Sequence, residues 1–166
     1  MTKNKILEKF EIYDDLPDSS YQTLPAFINP TGTNQRPDMI LVSRDVQVGG
    51  KKVIWLIELT SCLEENINDW HERKLDRYRN LSQQLGSEFT VHNHPIEIGS
   101  RGYIPPTFNQ LLNALKIDKK QIKTVCKDVS RVALECSARI FGNRNNRKVL
   151  QEVMQYTGRS PMEVLP

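Results

Sequence analysis

Between residues 38 and 60 the chain reads DMILVSRDVQVGGKKVIWLIELT, two runs of aliphatic and β-branched residues joined by a polar stretch that carries Gly49 and Gly50. Runs of this kind form strands. A Gly-Gly pair supplies the positive-φ positions of a tight reversal, so the segment predicts a β-hairpin. Antiparallel pairing sets the beginning of the first strand beside the end of the second. Asp38 and Glu58, with nineteen residues between them, are therefore expected to converge at one end of a sheet. Glu58 is the more informative of the two because it interrupts the apolar strand VIWLIELT. An ionised carboxylate in such a strand is costly unless a cation or a basic partner compensates it, or unless it reaches water.

The segment after the hairpin, residues 63 to 85, predicts a helix of about six turns stopped by Gly86. At roughly 100° per residue, Leu63, Ile67, Trp70, Lys74, Tyr78, Leu81 and Leu85 fall within roughly 60° of one direction, with His71 on the same face. Lysine is uncommon at the centre of a buried stripe without a counter-charge. Glu58 or a bound phosphate is the natural partner; the alternative is a stem that covers the core while its ammonium reaches water. Tyr78 is also accounted for as a core residue.

Elsewhere the pattern is weaker. Ile6, Leu7 and Phe10 suggest a short helix followed by the acidic loop YDDLPDSS, and TLPAFI suggests an edge strand. FTVHNHPIEIG reads as a strand with a break or an edge position at Pro95. FNQLLNAL, a longer helix from Asp118 as N-cap, and NRKVLQEVMQYTG follow as helices. His92 and His94 would share one strand face, where packing explains them better than a metal pair. Cys62, Cys126 and Cys136 have no zinc spacing and are expected to be free thiols.

Charge is segregated along the chain. Residues 1 to 100 hold 11 Lys and Arg against 15 Asp and Glu, whereas residues 101 to 150 hold 11 against 3, a net of +8. A basic segment of that kind suits a polyanion, and equally a solvated helix face. No apolar run approaches the length of a membrane span, and the first ten residues do not resemble a signal peptide. An intracellular protein of one domain, residues 1 to 166, is expected, with a core at about 20–115 and a basic helical extension at about 116–157.

Taken together, RPDMILVS, the strand IELT, the helix segment HERKLDRY and the later IEIGSRGY resemble the PD-(D/E)XK, or restriction-endonuclease-like, nucleases. The resemblance spans about residues 36 to 104 and is closest to the nuclease domain of site-specific non-LTR retrotransposons. It implies an α/β fold, a central mixed sheet flanked by helices, with the C-terminal helices added. It also implies a DNA endonuclease using Mg²⁺ or Mn²⁺ held by Asp38, Glu58 and the carbonyl of Leu59. The usual third signature position holds Thr60. In the retrotransposon-type domains the lysine moves to the following helix with a tyrosine, and Lys74 and Tyr78 match that variant. Arg36, Arg101, Lys116, Lys119, Lys120, Lys123 and Lys127 are then expected to contact the DNA backbone. A reverse transcriptase or other mobile-element protein, a homodimer, and a nuclear location in a eukaryote are what the resemblance implies for partners and place. The competing expectation is a catalytically silent module of the same fold, in which the acids merely pair with Lys74.

Overall fold

The computed structural model describes residues 8–14, 25–28, 35–46 and 49–143. Four strands form one sheet in the order β1 (Phe10–Asp14), β2 (Met39–Ser43), β3 (Lys52–Cys62), β4 (Phe89–Gly99). β1 with β2 and β2 with β3 are antiparallel, and β3 with β4 is parallel. The parallel pair needs a crossover. It is supplied by α1 (Ile67–Arg77) and α2 (Arg79–Leu85). After β4 come α3 (Pro106–Ala114) and α4 (Lys119–Gly142), the latter capped by the Asp118 carboxylate, which accepts from Lys120 N at 2.9 Å.

Alternation sorts the core into two layers. Ile40, Val42, Ile54 and Leu56 face α1 and α2 and pack with Tyr78, Leu81 and Leu85. Leu41, Trp55, Ile57, Ile96 and Ile98 face α3 and α4 and pack with Leu111. Helices cover both faces of β3, which is why its sequence reads as a nearly continuous apolar run. Full burial of Ile54 or Leu56 contributes about 1.5–3 kcal/mol each to the first layer, and Trp55 and Ile57 of the same strand are buried in the second. Among the described residues, no helix is long and apolar enough to cross a membrane.

The hairpin, the helical crossover and the long basic helix form where the periodicities place them. Several local expectations differ. Phe10 opens a strand that includes Tyr13 and Asp14, so the sheet begins before residue 20. Ala26–Ile28 is a 3-10 turn rather than an edge strand. β4 runs unbroken through buried Pro95, which is tolerated because β4 pairs with β3 alone among the described strands. The helix expected over 63–85 is divided. A 3-10 turn at Glu64–Asn66 precedes α1, and Tyr78, with φ −96° and ψ 5°, separates α1 from α2. Leu63 is accordingly exposed instead of lying in the stripe. α4 is no appendage, since Val129 and Ala133 pack on the second core layer. The helix expected at NRKVLQEVMQYTG lies outside the described residues.

Candidate functional site

β2 and β3 pair with Met39 opposite Ile57, and one further step along that register sets Asp38 opposite Glu58. Pro37, the next residue back, has no N–H to donate to the Leu59 carbonyl, so the ladder ends there. The Leu59 N–H donates to Asp38 Oδ2, at 2.7 Å. In an extended chain the N–H and C=O of one residue point to the same side, so the Leu59 carbonyl is directed toward the Asp38 strand as well.

Glu58 is 5% exposed and lies on the face of β3 covered by α1. Lys74, also buried, donates from Nζ to Glu58 Oε1. The Tyr78 hydroxyl shares its proton between Glu58 Oε2, at 2.7 Å, and the carbonyl of Arg36, at 3.0 Å. Arg77 Nη1 stands 3.7 Å from Glu58 Oε1. The helix thus closes over the carboxylate with two cations and a phenol. The break at Tyr78 lets Arg77 and Tyr78, adjacent in sequence, both reach Glu58.

Burial pushes the Asp38 carboxyl above its ordinary range; the Leu59 N–H opposes this, the Glu58 charge adds to it, and Lys74 and Arg77 pull it back. Burial and the bond to Glu58 raise the Tyr78 phenol far enough that it acts as a donor throughout the ordinary pH range. Two carboxylates, Lys74 and Arg77 make a site close to electroneutral by formal charge.

The chemistry of this donor set fits a hard divalent cation. Mg²⁺ is commonly held by one or two carboxylates and completes its shell with water and substrate phosphate. Asp38, Glu58 and the Leu59 carbonyl are the oxygens that would hold it. Among the described residues, no group of three or more His, Cys, Asp or Glu side chains is arranged to hold a metal ion, so a denser all-protein cage is not built here. An open cleft of about 480 Å³, lined by Leu75, Arg79, Ser82, Gln83, Gly86, Val91 and Asn93, lies over α2 and β4 and includes none of the clustered residues.

The other basic residues lie apart. The exposed Arg36 enters the cluster through its carbonyl. Arg101 is clasped by Glu64, at 2.6 Å, and by Glu65, at 3.4 Å, beyond the end of β3. Lys116, with φ 58°, follows α3. Lys119, Lys120, Lys123 and Lys127 are exposed on α4 and, at roughly 100° per residue, fall within a roughly 100° arc. That helix packs on the sheet face opposite the one holding Glu58. His92 and His94 stack on Trp55 at 4.3 and 4.9 Å between ring centroids, a packing arrangement.

Two neighbours, Arg77 and Glu97, were not singled out from sequence. Arg77 was detectable as the residue three after Lys74. His71 was placed on the buried helix face, but its pairing with Glu97 at 2.9 Å was not legible, because it depends on β4 lying parallel to β3. No protein-family model matches the chain, and no curated protein or solved structure matches it significantly.

Proposed function

We propose that the chain is a metal-dependent endonuclease that hydrolyses DNA phosphodiester bonds. The observation that carries this reading is the gathering of Asp38, Glu58, Lys74 and Tyr78 around one point, from two strands and the helical crossover. The strand order, with an antiparallel hairpin followed by a helical crossover to a parallel strand, suits the restriction-endonuclease-like core that the motif resemblance implies.

Mg²⁺ or Mn²⁺, when bound, supplies polarisation of the phosphate and a lowered pKa for a coordinated water. Asp38 and Glu58, with the Leu59 carbonyl, would hold it. Tyr78 fixes the plane of the Glu58 carboxylate and anchors it to the Arg36 backbone. Lys74 neutralises Glu58 before substrate arrives and stabilises negative charge developing on the phosphate. Lys116, Lys119, Lys120, Lys123 and Lys127, with Arg36 and Arg101, supply phosphate contacts that set affinity more than sequence preference. Because the lysines of α4 and the acids occupy opposite layers, binding and cutting are separable by mutation. A mobile-element origin, a reverse-transcriptase partner, a homodimer for double-strand cutting and a nuclear location in a eukaryote follow from the same reading.

One observation favours a second reading, a silent binding module of the same fold: both Glu58 oxygens already have protein donors. The two separate cleanly. Supercoiled plasmid is incubated with the chain and Mg²⁺ or Mn²⁺, beside Asp38→Ala and Glu58→Ala. Metal-dependent nicking lost in both variants supports the enzyme. DNA binding with a steep salt dependence and no nicking supports the module.

A further inference from the structure

Glu97 lies on β4 opposite Thr60 and on the same sheet face as Glu58, two residues further along the register. It is 1% exposed. Among the described residues its carboxylate has one hydrogen-bond partner, His71 Nδ1 at 2.9 Å, and its Oε1 is buried with none. Thr60 Oγ1, its neighbour across the ladder, is buried without a partner too. Burying a carboxylate this deeply is costly, and an incompletely satisfied one calls for a functional explanation. His71, whose side chain is 31% exposed, spans from that buried acid to solvent. It precedes Lys74 by one helical turn, so their Cβ atoms are about 5–6 Å apart. A carboxylate bound to Nδ1–H leaves Nε2 as an acceptor directed away from the acid.

We infer that Glu97 is a positioning residue that holds His71 as the proton acceptor of the reaction at the Asp38–Glu58 site, an inference that rests on the nuclease reading. The site lacks a lysine at Thr60, and Lys74 is committed to Glu58, so among the described residues the imidazole one helical turn before Lys74 is left to take the proton. In the hydrolytic step the water oxygen forms a bond to phosphorus with its own electron pair while its proton passes to His71 Nε2. The P–O bond to the leaving nucleoside breaks with its electrons on that oxygen, which takes a proton from solvent. His71 then returns its proton to solvent.

The test uses the full chain, supercoiled plasmid and Mg²⁺ at one pH, with DNA affinity measured in parallel. His71→Ala is expected to slow nicking about 10²- to 10⁴-fold with affinity little changed. Imidazole added to the buffer is expected to restore part of the rate in that variant and none in Asp38→Ala, which a merely structural histidine would not produce. Glu97→Gln, which keeps a hydrogen-bonding side chain, is expected to lose rate while melting near the wild-type temperature. Wild-type nicking with an unaffected His71→Ala, or a folded variant that imidazole does not rescue, overturns this role and leaves the nuclease reading standing. A wild type that never nicks overturns both. If His71→Ala does not fold, ¹⁵N shifts of the wild-type ring decide: a neutral ring protonated at Nδ1 supports the assignment, and one protonated at Nε2 overturns it.

Discussion

Tyr78 and Glu58 are joined at 2.7 Å, and the same phenol reaches the Arg36 carbonyl at 3.0 Å, so one buried tyrosine ties the crossover to β3 and to the segment that enters β2. Tyr78→Phe removes the donor and leaves two acceptors beneath the helix. The expected cost is about 1–3 kcal/mol in denaturant unfolding, with the slope of the transition unchanged.

Lys74 and Glu58 compensate each other, and Lys74→Met leaves the buried carboxylate to the Tyr78 hydroxyl and to Arg77 at 3.7 Å. It is expected to cost about 3 kcal/mol, the lower end of what breaking a buried ion pair costs. The double variant Lys74→Met with Glu58→Leu is expected to recover much of that loss, because a shape-filling apolar pair needs no compensation. Chemical unfolding of the two single variants and the double variant measures the coupling.

Asp38 has the opposite balance. Its folded-state pKa lies above the usual carboxylate value. As pH rises between those two values the folded chain holds more protons than the unfolded one, so stability falls, and the deficit persists at neutral pH. Asp38→Asn keeps an acceptor for the Leu59 N–H and sheds the charge. In metal-free buffer at pH 7 it is expected to melt above the wild type, while nicking falls by at least about 10²-fold.

Burial lowers the pKa of His92, and burial together with the charges of His92 and His94's other neighbour, His71, lowers that of His94. The unfolded chain therefore binds more protons below pH 6.5, and stability is lost as pH falls through that value toward the folded pKa values. Urea midpoints at pH 7.5 and 5.5 should differ less in a chain carrying His92→Gln and His94→Gln than in the wild type.

The lysines of α4 are exposed on one arc, so replacing Lys119, Lys120, Lys123 and Lys127 by Ala should leave the melting temperature nearly unchanged. If each contacts one phosphate, the slope of log affinity against log salt becomes shallower by roughly 3 to 4. An unaltered slope would remove α4 from the DNA contacts.

The hairpin register, the N-cap at Asp118 and the burial of Lys74 were legible because each follows from a local period or a local signal. An alternation of two puts Ile54, Leu56 and Glu58 on one face, and a turn of about 3.6 residues brings Lys74 and Tyr78 together. Other features were not local. At the break, the Tyr78 hydroxyl lies between Glu58 and the Arg36 carbonyl, and the sequence HERKLDRYRN carries no glycine or proline to announce it. Arg101 was expected to contact the DNA backbone, and the sequence did not show that Glu64 and Glu65 would hold it across 37 and 36 positions.

By itself, then, the sequence determined which residues alternate into a core and which acids end the hairpin, since steric periodicity acts between near neighbours. Only the tertiary structure decided that β4 lies parallel to β3 with Glu97 beside Thr60. That pairing sets His71 against a buried carboxylate and places the basic helix on the far layer. The physical reason is that a parallel register between strands separated by a crossover is chosen by how the whole layer of helices packs, and no short stretch of chain encodes that choice.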